Sequence, residues 1–116
     1  MTPLRLLTKP VSRGELTSLA EEGFGDMVKA VVDVRRGIMA IGGELHSDEE
    51  AALLDDGSDQ QDLWGINLYP AEIGDDLVEY DSMINVRPSQ GNRSREVEDA
   101  EIRTAIRAIV ARLVTE

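Results

Sequence analysis

The stretch Met27-Val-Lys-Ala-Val-Val-Asp-Val-Arg-Arg-Gly-Ile-Met-Ala-Ile41 reads as a β-hairpin. Its first arm is rich in β-branched residues, Arg35-Arg36-Gly37 forms the turn, and Ile38 to Ile41 returns. A three-residue loop with Gly in the left-handed position fits a type I turn followed by a bulge. In that register Asp33 lies near Met39 and Val31 near Ile41. Apolar residues occupy both faces of both arms, which marks these strands as central rather than peripheral.

The rest of the fold is read outward from this hairpin. On its N-terminal side, Leu4 to Leu7 is a short apolar run ended by Lys9-Pro10, a first strand. Ser12 followed by Glu15 is a capping box, and Val11 before the cap can pack on Leu16 as a hydrophobic staple. A helix over about 13–22 follows, stopped by Gly23. On the C-terminal side, Gly42-Gly43 breaks or bends the strand. Ser47-Asp-Glu-Glu50 is a second capping box, predicting a helix over about 48–56, and Ser58 to Gln61 opens a single helical turn.

Leu63 to Tyr69 and Val78 to Arg87 read as two further strands joined by a polar loop. In the second, Glu79, Asp81, Asn85 and Arg87 share one face. A last helix runs from about Asp99 to Val114, with Ile102, Ala105, Ile106, Ile109, Val110 and Leu113 as its apolar stripe. The order β-α-β-β-α-β-β-α predicts an α+β fold with helices packed on a mixed or antiparallel sheet.

A length of 116 residues suits one domain spanning 1–116. Area scaling gives roughly 6,200 Å² of folded surface against about 18,000 Å² for the extended chain, enough burial for one core without staples. There is no Cys, which removes disulfides, thiol chemistry and Cys-containing zinc sites. No signal peptide or apolar run long enough to span a membrane is evident, so a soluble cytoplasmic protein is expected.

The formal net charge is -11, but it is not spread evenly. Residues 44–81 hold thirteen acids and no Lys or Arg, whereas the two flanks are each slightly basic. The balance argues against nucleic acid as the main partner, since such binders need clustered Lys and Arg. The acidic segment is either solvated surface or a face for a basic partner or a second copy of the chain.

Three strings carry a family resemblance. They are Phe24 to Asp33, Met39 to His46, and Leu63 to Pro70 taken with Ile84 to Ser94. Together they resemble a family of short, uncharacterised prokaryotic proteins known only as a domain of unknown function. The resemblance spans nearly the whole chain. It implies no activity, cofactor or catalytic residue and supports a single compact domain.

The segment with most chemical content is Arg87-Pro-Ser-Gln-Gly-Asn-Arg-Ser94, between a strand and a helix. Arg87 and Arg93 could hold an anion bidentately, with Ser89, Gln90, Asn92 and Ser94 adding hydrogen bonds and backbone N–H groups completing the site. The same residues also serve a plain turn, with the arginines pairing to acids of the middle segment. Asn67 and Asn85 share a face with Arg87 on adjacent strands and either line a pocket or face water. His46 and Glu44 would point the same way if the strand continued past Gly43, a weak metal or proton-transfer pair.

No Walker spacing, HExxH, GxSxG or EF-hand pattern is present. Two functions compete. One is a small-molecule or anion-binding domain using the 87–94 loop. The other is a non-catalytic interaction or self-associating module using residues 44–81. Cofactor and catalytic residues are not specified by any motif.

Overall fold

The computed structural model describes residues 4–116. The hairpin lies at the middle of a five-stranded antiparallel sheet. Its strands are β1 (Arg5–Leu7), β3 (Val28–Asp33), β4 (Ile38–Ile41), β5 (Leu63–Leu68) and β6 (Val78–Glu79), in the order β1-β4-β3-β5-β6. A separate parallel pair joins β2 (Val11–Ser12) to β7 (Val114–Thr115). Three helices complete the fold, α1 (Arg13–Glu22), α2 (His46–Asp55) and α3 (Ala100–Leu113). The folded surface is 6170 Å², close to the area expected for this mass.

Period-two alternation sorts the sheet into two apolar faces. Val28, Ala30, Val32, Met39, Ile41, Trp64, Ile66 and Leu68 point to one side, where Leu16 and Ala20 of α1 and Ile106, Ile109, Val110 and Leu113 of α3 cover them. Val31, Ile38, Ala40 and Leu63 point to the other side, where Leu53 of α2 meets them. Burial on both faces explains the unbroken apolar runs of β3 and β4.

The capping expectation for α1 holds, with Ser12 Oγ accepting from the Glu15 N–H at 3.1 Å. For α3, Asp99 caps through Oδ1, which accepts from the Glu101 N–H at 2.8 Å. Three details differ from the sequence reading. The hairpin loop has four residues rather than three, so Asp33 pairs with Ile38 and Val31 with Ala40, one position away from expectation. The cause is Asp33 itself. Its Oδ1 accepts from both Arg35 N–H and Arg36 N–H at 2.9 Å, winding the turn from Asp33.

Second, α2 begins at His46 with no side-chain cap, so Ser47 is not its cap. Third, the strand expected over 78–87 stops after Glu79. It gives way to 3-10 turns at Met83–Asn85 and Pro88–Gln90, and the face shared by Glu79, Asp81, Asn85 and Arg87 does not form. The edge of β5 that this strand would have paired is completed by a side chain. Asn85 Oδ1 accepts from the Gly65 N–H at 2.8 Å, and Asn85 Nδ2 donates to the Gly65 carbonyl at 2.9 Å.

Candidate functional site

The residues singled out in the 87–94 loop are brought close together, and most of their polar atoms meet protein partners. The Arg87 guanidinium stacks 4.6 Å from the Trp64 ring centroid. Its Nε donates to the Ile84 carbonyl at 2.9 Å, its Nη1 to the Gln60 carbonyl at 2.9 Å, and its Nη2 to the Leu63 carbonyl. Gln90 Oε1 also accepts from Arg87 Nη1, and Gln90 Nε2 donates to the Gln61 carbonyl. Burial lowers the Arg87 pKa, opposed by the Glu50 carboxylate.

Asn92 is buried and knits the loop from inside. Its Nδ2 donates to the carbonyls of Asn85, Ser94 and Glu96, while its Oδ1 accepts from the Glu98 N–H. The backbone N–H groups of Arg93 and Ser94 converge as an anion would need, and a carboxylate lies there. Glu98 Oε2 accepts from both at 2.8 Å, and the Ser94 side chain, followed by these two N–H groups, lowers the Glu98 pKa. The Arg93 and Ser89 side chains are exposed.

Asn67 sits on β5 opposite Lys29 of β3. Its Nδ2 donates to Glu79 Oε1 and to the Asp81 carbonyl, and its buried Oδ1 has no protein partner. Glu44 and His46 diverge, because β4 ends at Ile41. Glu44 is exposed, whereas His46 turns inward and lies 2.8 Å from the Ile66 carbonyl through Nε2. Nε2 therefore carries the proton, and burial pulls the imidazole pKa down, which favours its neutral form. No group of three or more His, Asp or Glu residues among those described converges as a metal site.

A different part of the molecule carries an open cleft of about 560 Å³. It lies between the C-terminal end of α1, the start of β3 and the bend that leads into α2. Phe24, Met27 and Leu45 provide apolar walls, Glu22, Lys29 and Glu44 the charges, and Gly42-Gly43 backbone. Phe24 and Leu45 are 47% and 54% exposed, and both line the same cleft. The Lys29 ammonium sits 4.9 Å from the Phe24 ring centroid.

Next to the bend, Glu49 is fully buried. Its Oε2 accepts from the Gly43 N–H at 3.0 Å, while Oε1 has no protein partner. Burial drives its pKa up to about 9, so the carboxyl is protonated at neutral pH. A Cβ on Gly43 would come within 2.8 Å of Glu49 Cγ, which explains why glycine stands there. The sequence places Glu49 in the first turn of a helix, where the dipole favours acids, and as a candidate companion of Glu44 and His46, and it gives no role to Phe24, Lys29 and Leu45. The missed signal was helical spacing, since His46, Glu49 and Leu53 fall on one face.

The middle segment is neutralised only in part. Arg35 bridges to Asp59 and Asp62, Arg36 to Asp56, and Arg95 to Asp81. Arg95 is thus the one arginine of the last third to form an ion pair with that segment among the described residues. No helix among those residues is long and apolar enough to cross a membrane.

No curated protein and no solved structure matches the chain. Residues 5–113 match the model of a family described as a protein of unknown function, DUF5674, and the chain belongs to that family.

Proposed function

We propose that this protein is a small-molecule-binding domain whose ligand occupies the cleft walled by Phe24, Met27 and Leu45. The observation that carries the reading is the pair of large, exposed apolar side chains at the mouth of a cavity with a backbone Gly42-Gly43 lining. Apolar walls with a few charged groups are the usual make-up of such sites. The ligand chemistry follows from the charges. Two carboxylates, Glu22 and Glu44, face one ammonium, Lys29, which already lies over the Phe24 ring. An amine with an apolar body suits this balance, because it adds the second cation that the two carboxylates lack and packs its body on Phe24, Met27 and Leu45. The 87–94 loop is a poorer ligand site because the donors of Arg87, Gln90 and Asn92 and the backbone N–H groups of Arg93 and Ser94 already have partners.

Thermal shift with amines and carboxylates of matched apolar body tests the reading. Stabilisation by the amines, lost in Phe24→Ala, is the expected result. Equal or greater stabilisation by the carboxylates, or none by either at millimolar concentration, overturns it.

A second reading, a docking surface for a basic partner, draws on one observation. Ile73 is 77% exposed and is flanked by Glu72, Asp75 and Asp76, none of which forms an ion pair among the described residues. Salt-sensitive association that Ile73→Ser abolishes supports it. A strict monomer that captures no basic partner at low salt sinks it. A cytoplasmic setting suits either reading of a cysteine-free chain.

A further inference from the structure

A second cavity, of about 390 Å³, lies at the start of α1, where α3 and β7 face the loop before β6. Its walls include Leu77, Val110 and Val114, and two guanidinium groups, those of Arg13 and Arg107, line it. The two arginines are held differently. Arg13 is fixed by its own helix start and by backbone, with Nη1 donating to the Pro70 carbonyl at 3.0 Å and to the Glu72 carbonyl at 2.8 Å. That leaves Nε and Nη2, and both donate at 3.3 Å to the two carboxylate oxygens of Glu116. Arg107 reaches only hydroxyls, Tyr80 Oη and Thr104 Oγ1, each at 3.4 Å. Neither hydroxyl neutralises its charge.

We propose that this cavity is a binding site for a small dicarboxylate, and that the Glu116 side chain is an internal occupant of half of it. The fork-to-fork pairing of Arg13 with Glu116 is the geometry that guanidinium adopts toward a carboxylate ligand, so the receptor for one end is already assembled. The Glu116 side chain is 87% exposed, and an ion pair at such a position contributes little, so a free carboxylate can displace it. Arg107 takes the second carboxylate, and the short apolar spacer lies over Leu77, Val110 and Val114. Of the two carboxylates that line the cavity, Asp75 and Glu116, neither pairs with Arg107, so a dianion replaces Glu116 on Arg13 and supplies the carboxylate that Arg107 lacks. The site is separate from the Phe24 cleft and does not depend on it.

The test is an amide NMR titration of the full chain with glutarate, with acetate and sulfate as controls, on the native sequence, Glu116→Gln and Arg107→Gln. Both substituted positions are exposed, so the fold is retained. The expected result is a set of shifts confined to the start of α1 at Arg13, the stretch from Arg107 to Glu116 and the Gly74–Val78 segment. Affinity rises up to about fivefold in Glu116→Gln, the equivalent of one exposed ion pair. It falls at least to the acetate level in Arg107→Gln. Glutarate binding no tighter than acetate, unchanged affinity in Arg107→Gln, weaker binding in Glu116→Gln, or no shifts at tens of millimolar each overturns the proposal.

Discussion

The side chain of Asn85 is the sheet partner of Gly65. One amide group meets both backbone groups of that residue, as a neighbouring strand would, and its Nδ2 also donates to the Arg95 carbonyl at 2.9 Å. The arrangement allows β6 to be only two residues long without leaving the middle of β5 unpaired. It also ties the sheet to the loop that leads into α3.

Asn85→Ala removes these bonds and strands the buried N–H and carbonyl of Gly65, while the Arg95 carbonyl keeps the Ser82 N–H at 3.0 Å. The expected loss is about 2–4 kcal/mol in urea unfolding, as buried polar groups lose their partners together. Asn85→Asp keeps the acceptor and loses the donor, and falls below the native protein as well. A loss under about 1 kcal/mol for Asn85→Ala would show that water replaces the amide there.

Gly65 and Ser82 approach so closely that a Cβ on Gly65 would lie 2.5 Å from Ser82 Cβ. Gly65→Ala should therefore cost about 1–3 kcal/mol through overpacking. Ser82→Gly made in the same chain should recover part of that cost. A double-mutant cycle reads the coupling, and strict additivity of the two changes would contradict the contact.

Glu49 gives the stability an unusual pH dependence. Its folded pKa of about 9 lies above the ordinary 4.5, so between those values the folded chain holds the extra proton. Stability from this group is fully present below about pH 4.5 and is lost as pH rises toward 9, with a ceiling of about 1.4 kcal/mol per pH unit. His46 works the other way. Burial lowers its pKa, so its contribution is present above 6.5 and fades as the pH falls. Glu49→Gln should match the native protein near pH 4 and exceed it at pH 8 in urea titrations. Parallel stability curves for the two proteins would remove the buried carboxyl from the explanation.

Glu98 fills the N–H pair of Arg93 and Ser94. In the native protein, sulfate should leave those two amides unmoved in NMR spectra. In Glu98→Ala, with Arg93 still beside the vacated N–H groups, sulfate should shift both. Sulfate shifts of equal size in the native protein would show that the carboxylate does not hold the position.

Elements whose signals are local could be read from the sequence. The Ser12 cap, the Asp99-led amphipathic α3 and the two-faced hairpin follow from spacing alone. The strand expected after Val78 failed for a tertiary reason. Its alternating pattern is real, but Asn85 and Arg87 satisfy backbone groups of β5 and of the turn before it, and that satisfaction is invisible until β5 is in place. The hairpin register slipped by one because Asp33 bonds two N–H groups ahead of it, a turn chemistry that competes with the Gly37 signal. For the candidate site the loss was greater. The backbone donors near the 87–94 loop are legible, but nothing in the spacing assigns their occupant, Glu98, to them. The cleft at Phe24 joins residues from three elements that no spacing connects.

The pairing of Val11 with Val114 also bears on how the chain acquires its shape. Every strand of the large sheet is available once residue 79 has been made, yet β2 waits for a partner 103 positions downstream. Closing so long a loop is entropically late, and only the completed α3 brings β7 to it. A protein shortened before Val114 would keep α3 over the sheet but lose the clasp that binds α1 to α3.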